Sequence, residues 1–169
     1  MPETALVIVV PEAEPLVSEW RAQYDWSAQH GVPAHITLLY PFAPTERIDG
    51  ELLRQLQELF GSEPQISFEL ARMARFPEVA WLAPEPSEPF KALTDLIAAR
   101  FPDYPPYEGA HEVVIPHLTV AEGGTELQDR VEAAVSGNLP IRAHAGHVTF
   151  LSEDNDGLWH EAHRFPLAG

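Results

Sequence analysis

The sequence predicts an α+β protein built from a duplicated unit, with two lobes packed together. Three observations carry that expectation. Apolar runs of strand character alternate along the chain with amphipathic segments of helical spacing. A strand pattern bearing His-x-Thr recurs half a chain later and is followed each time by a helix and then paired strands, which is self-similarity of the kind that marks a duplicated architecture. Seventeen prolines in 169 residues supply many sharp connections and weigh against a helical bundle.

Thr4 to Val10, TALVIVV, is a continuous apolar run ended by Pro11 and reads as a central strand. From Glu12 to Tyr24 the pattern is amphipathic, with Leu16, Val17, Trp20 and Tyr24 at helical spacing and Pro15 in the first turn, where it is tolerated. PAHITLLYPF, residues 33–42, is a short buried strand bounded by prolines. Ile48 to Phe60 forms a second helix stopped by Gly61. Gln65 to Ala71 and Val79 to Leu82 are strands on either side of a Phe76-Pro77 turn. Ser87 is placed to cap a helix whose apolar face is Phe90, Leu93, Leu96, Ile97 and Phe101. The proline-rich 101–109 is a surface loop, and Glu112 to Ala121, EVVIPHLTVA, is a strand with Pro116 inside it. A helix over 126–135 leads to two or three final strands, the last two joined by the tight turn Asp154-Asn155-Asp156-Gly157.

Composition narrows the function classes. Residues 1–169 suffice for a single domain with its own core. With no cysteine, a disulfide, a thiolate metal site and a cysteine nucleophile are all excluded. The N-terminal apolar run lacks a basic region and is too short for a signal segment or a membrane span, so a soluble, cytoplasmic protein is expected. A monomer is a separate expectation. The net charge of −16, with 10 Lys and Arg against 26 acids, opposes a groove tracking long nucleic acid. A small nucleotide or an RNA terminus is still accommodated if a few cations are concentrated locally.

Alternation on a strand puts His35 and Thr37 on one face, and likewise His117 and Thr119 in IPHLTVA. A histidine alone on a strand is more often a hydrogen-bonded core group than a catalyst. Two in equivalent settings have a chemical use together. Opening or forming a phosphodiester with a neighbouring hydroxyl needs a base for the attacking oxygen and an acid for the leaving one. Imidazole, with a pKa near 6.5, serves as either. Each threonine could donate a hydrogen bond to a non-bridging oxygen as charge develops there.

GVPAHITLLYPF, YPPYEGAHEVVIPHLTVAEG and GLWHEAHRFPL together resemble the two motif regions and closing strand of the 2H phosphoesterase superfamily, in its LigT-like branch, the 2′-5′ RNA ligase family. The likeness covers nearly the whole chain. It implies a bilobal fold with pseudo-two-fold symmetry, two antiparallel sheets with outer helices, and a central cleft carrying both motifs. It also implies hydrolysis of 2′,3′-cyclic or 2′-5′-linked nucleotide phosphodiesters, with no metal and no cofactor, His35 and His117 as the acid–base pair, and Thr37 and Thr119 on the phosphate. RNA ligation at the same site, or nucleotide binding without turnover, are the alternatives. The strongly acidic charge and His111, ahead of the second motif, depart from the pattern.

Other residues receive structural readings. His147-Val148-Thr149 has the motif's form but falls where the family has an ordinary core strand. Tyr40 and Phe42 are expected to line the cleft, and Arg72, Arg75 and Arg142 are candidates for holding phosphate. His160 and His163, with His111 or His144, lack a recognisable metal-ligand spacing. Glu153, Asp154 and Asp156 read as a solvated turn.

Overall fold

The protein is described from a computed structural model covering residues 2–110 and 113–169. In chain order the main elements are β1 (Thr4–Val9), α1 (Glu14–Tyr24), α2 (Trp26–Gln29), β2 (His35–Leu39), α3 (Gly50–Gly61), β3 (Ile66–Phe76), β4 (Val79–Glu85), α4 (Glu88–Arg100), β5 (Leu118–Glu122), α5 (Thr125–Val135), β6 (Ile141–Ala145), β7 (His147–Glu153) and β8 (Trp159–Pro166). The strands form two antiparallel four-stranded sheets, ordered β2-β1-β7-β8 and β5-β4-β3-β6. Each motif therefore belongs to an edge strand, and each sheet draws strands from both halves of the sequence. Gly146 alone separates β6 from β7, yet they belong to different sheets.

Each sheet turns one face to the helices. α3 and α4 pack on β8 and β2, while α1 and α5 pack on β5. Leu56 and Phe60 of α3, Phe90, Leu93 and Ile97 of α4, and Val131 and Val135 of α5 join alternate strand residues in one contiguous core. Among them are Leu6, Ile8, Ile36 and Leu38 of the first sheet and Phe68, Leu70, Leu82 and Leu118 of the second. The period of two is plain in both motif strands. Ile36 and Leu38 are fully buried while His35 and Thr37 between them are partly exposed, and Leu118 and Val120 stand in the same relation to His117 and Thr119.

Several boundaries differ from expectation. β5 starts at Leu118, so His117 precedes the strand and residues 113–117 are irregular. Proline has no N–H to give a ladder, and Pro116 holds the chain out of the sheet until the following residues. The β3–β4 hairpin is longer than its apolar runs suggest, because Arg72 and Arg75 sit in it with exposed side chains. α1 is preceded by a 3₁₀ turn at Pro11–Ala13, and α2 follows it as a separate single turn. Asp49 caps α3 by accepting from the Leu52 amide at 2.8 Å. Ser87 occupies the corresponding position of α4, yet its side chain makes no capping bond. A short 3₁₀ turn, Pro106–Gly109, interrupts the proline-rich loop.

Among the described residues no helix is long and apolar enough to cross a membrane. The turn after β7 is ordered by Asp154, whose carboxylate accepts from the amides of Asp156 and Leu158 and from His160.

Candidate active site

His35 and Thr37 are positioned by β1, whose Val9 and Val7 pair with them. The outer edge of β2 would otherwise be unpaired, and two contacts close it. Thr94 Oγ1 donates to the Leu38 carbonyl at 2.7 Å, and the Tyr107 amide donates to the Tyr40 carbonyl at 2.6 Å. On the other sheet, β4 sets the second motif by pairing Trp81 with Thr119 and Leu82 with Leu118. The edge strands β2 and β5 approach one another, which brings the two motifs to the line where the sheets meet.

The two imidazoles are held the same way. His35 Nδ1 lies 2.8 Å from the Pro33 carbonyl, and His117 Nδ1 lies 2.7 Å from the Ile115 carbonyl. A carbonyl can only accept, so Nδ1 carries the proton in each ring and the neutral form presents a bare Nε2. Neither Nε2 has a hydrogen-bond partner among the described residues. The proline–x–histidine backbone thus fixes tautomer and ring direction at His35, and the matching turn of chain at Ile115 does so at His117, with no side chain required.

Burial drives the His35 pKa down to about 4. The Pro33 bond and Asp25 oppose that shift, while Arg21 and His117 add to it. His117 is also held below the ordinary histidine value by burial, against the Ile115 bond. That the charge of His117 acts on His35 means the pair resists double protonation.

Each histidine borders its own hollow. The one at His35, about 240 Å³, is walled by Val7, Val32, Trp26, Tyr40 and Trp159. The one at His117, about 460 Å³, is walled by Phe76, Pro77, Tyr107 and the apolar Val113–Ile115 segment. The His117 ring also meets Phe76 and Trp81 edge-on, at 5.1 and 5.8 Å between centroids.

Tyr40 lines the His35 hollow, with its hydroxyl donated to Glu3 at 2.5 Å. Burial and Glu3 raise its pKa, so it stays a neutral phenol. Phe42 does not line the cleft. It is 3% exposed and packs edge-on against Phe101, Tyr104 and Phe150 in the core, because the chain has already turned inward after β2.

The third His-x-Thr has a different setting. Thr149 is 1% exposed and its hydroxyl has no partner among the described residues, whereas Thr37 and Thr119 are partly exposed. The three arginines also separate. Arg75 is bound to Asp129 and Glu132, and Arg142 is near Glu69 at 3.8 Å, while Arg72 is exposed and has no ion-pair partner among the described residues. His144 contacts Ser67 and Gln65, His160 contacts Asp154, and His163 stacks on Phe165, so these rings have separate partners. His111 lies outside the described residues.

Behind His35 is a buried network with no counterpart in the sequence reading. Arg21 Nε and Asp25 Oδ2 are 2.9 Å apart, each residue 3% exposed. Arg21 also donates to the Val32 carbonyl and Ser27 Oγ, and Asp25 Oδ1 accepts from both the Ser27 amide and hydroxyl. This pins the end of α1, the start of α2 and the 30–34 approach to β2 together. Gly31, at φ +96°, completes that approach, where a Cβ would meet the Trp159 carbonyl at 2.9 Å. The Asp25-x-Ser27 spacing of an N-cap was the one signal available.

A family model described as the 2′-5′ RNA ligase superfamily matches residues 9–157. A Bacillus pumilus protein provisionally named a phosphoesterase is 28% identical over 142 residues, covering 80% of this chain and 78% of that one. A Geobacillus kaustophilus protein with the same provisional name is 26% identical over 171 residues, at 97% and 95% coverage. Among solved structures, the TT0787 protein of Thermus thermophilus superposes with a TM-score of 0.65 at 18% identity, covering 99% and 98% of the two chains. E. coli LigT in complex with 3′-AMP does so at 0.63 and 17%, over the whole of both chains. The fold is therefore that of LigT.

Proposed function

Because the chain belongs to the 2′-5′ RNA ligase superfamily, we propose that it is a metal-independent phosphodiesterase that opens 2′,3′-cyclic or 2′-5′-linked nucleotide phosphodiesters with His35 and His117 as its proton-transfer pair. The observation that carries this reading is the matched imidazole geometry, two rings with Nδ1–H tied to the carbonyl two residues back and Nε2 left free.

In the hydrolytic direction the neutral His35 takes a proton from water as the water oxygen attacks phosphorus. The bond from phosphorus to one ribose oxygen breaks, and His117 gives that oxygen its proton. The product is a nucleoside monophosphate, and the water proton and the His117 proton are exchanged between the rings by solvent. His35 is assigned the base role because burial depresses it more strongly. Thr37 and Thr119 donate to the non-bridging oxygens. Two imidazoles supply both proton transfers, so the mechanism calls on no metal. The aromatic walls beside His35 suit a nucleobase, and E. coli LigT has been crystallised with 3′-AMP, NADP+ and ATP. The charge of −16 favours small substrates over RNA ends.

Incubation with nucleoside 2′,3′-cyclic phosphates, followed by chromatography, is expected to show the ring-opened monophosphate. No opening of any cyclic or 2′-5′ diester would refute the reading.

The pH dependence has a definite sign. For the free enzyme, the productive state needs His35 unprotonated, gained as pH rises through about 4. It also needs His117 protonated, a state lost as pH rises through a value below 6.5. kcat/KM should therefore peak on the acid side of pH 6.5 and fall about tenfold per unit above it. The bound diester's negative charge raises both pKa values, so kcat should hold to higher pH than kcat/KM. A kcat/KM that still climbs between pH 7 and 8 would remove histidine as the acid.

A further inference from the structure

We propose that the hollow bounded by Arg72 and Lys91 is a second anion subsite, which takes a phosphate carried by the substrate beyond the diester itself. It rests on the two-histidine reading and adds to it the substrate class, a nucleotide with a phosphate at the other end of its ribose.

Cations are scarce in this chain, ten against 26 acids. Most are already committed. Five arginines are held in ion pairs. Arg100 donates to Gln55, and Arg130 lies over the Trp20 ring. Among the described residues only Arg47, Arg72 and Lys91 are left without such a partner, and two of these three line one hollow of about 540 Å³. Lys91 is also the chain's sole lysine.

The sheet register connects that hollow to the site. β4 pairs Ala83 with Arg72 on one side. On the other it pairs Leu82 with Leu118 and Trp81 with Thr119, and His117 stands immediately before that paired stretch. Trp81 and Ala83, two residues apart on β4, share a face of the sheet, and their partners Thr119 and Arg72 share it with them. Adjacent strands are about 4.8 Å apart, so the strand of Arg72 and the strand of Thr119 are roughly 10 Å apart with β4 between them. Ala83, beside Arg72 on β4, presents only a methyl to the hollow. Pro116, Ile115 and Trp81 wall the hollow on the His117 side. Lys91 reaches it from α4, so the two cations approach from different elements.

Glu85 and Glu88 are on the same rim, and neither is ion-paired to Arg72 or Lys91. Their charges cancel the cations at long range. The subsite therefore selects by direct hydrogen bonding to a phosphate that reaches both cations, and gives little attraction to an extended polyanion.

The test compares adenosine 2′,3′-cyclic phosphate with the same molecule carrying a 5′-phosphate. The wild type is expected to favour the 5′-phosphorylated form in kcat/KM by about tenfold or more. Arg72→Ala and Lys91→Ala should each shrink that ratio, and the double variant should bring it near one. Turnover of the unphosphorylated substrate should stay at the wild-type rate in all three, which also reports that they fold. Equal rates in the wild type, or a preference kept by the double variant, would overturn the subsite and leave the two-histidine reading standing. No turnover of either compound by the wild type would overturn both.

Discussion

Replacing His35 or His117 by alanine is expected to lower kcat for a nucleoside 2′,3′-cyclic phosphate by about 10³-fold, within the range that positioned general acids and bases supply. Each ring is partly exposed at the meeting of the sheets and makes a single hydrogen bond to a neighbouring carbonyl. Its removal therefore leaves the core intact, and the thermal midpoint should shift by only a few degrees. The double variant should lose little more than either single one, because base and acid act in one transition state. Thr37→Val and Thr119→Val should cost less, about ten- to a hundredfold, as each removes one donor to developing charge. Addition of EDTA should leave the rate unchanged. Full activity in both histidine variants would end the assignment, whatever the family.

The second large effect is on stability. Asp25→Ala is expected to destabilise the fold by about 3–5 kcal/mol, since it leaves the Arg21 guanidinium buried without its countercharge. For a chain of this size that lowers the thermal midpoint by roughly 6–20 °C. The pair itself need not be strongly stabilising. Arg21→Met with Asp25→Leu, which removes both charges and keeps volume, should recover most of the loss. Denaturant midpoints for the parent and the two variants separate a stranded charge from a merely missing hydrogen bond. An Asp25→Ala protein as stable as the parent would mean the network is open to water.

The helices and the motif faces were legible in the sequence because they depend on local periodicity. Leu52, Leu53, Leu56, Leu59 and Phe60 announce α3, and alternation sets His35 and Thr37 apart from Ile36 and Leu38. Partners joined by a tight turn, β3 with β4 and β7 with β8, were legible, and partners distant in the chain were not. A period of two fixes which face a residue takes and says nothing about which strand lies beside it, so the separation of β6 and β7 into different sheets had no local sign. The start of β5 was obscured because Val113, Val114 and Ile115 have strand composition, yet they wall a hollow instead of joining a ladder. Arg21 and Asp25, one helical turn apart, carry no mark of burial in their own segment, and only the return of the 27–32 segment over them makes them interior. Phe42 was misplaced by its nearness to the motif, where one turn of backbone sends it to the core.

The interleaving of strands has a consequence for how the molecule comes into being. β1, made before the other strands, lies between β2 and β7, and the Glu3 amide bonds to Glu153, 150 residues away. The sheet holding His35 therefore cannot close until the chain has been made as far as β8, residues 159–166. Until then β1 and β2 are a two-stranded ribbon with an open apolar edge, a form that is marginal by itself. The other sheet needs only β3 to β6 and can be complete earlier. Contacts of such long span slow folding, because the chain gives up loop entropy before any packing returns it. Synthesis would thus finish the sheet beside His117 before the sheet that holds His35, which waits for the β7–β8 hairpin to dock.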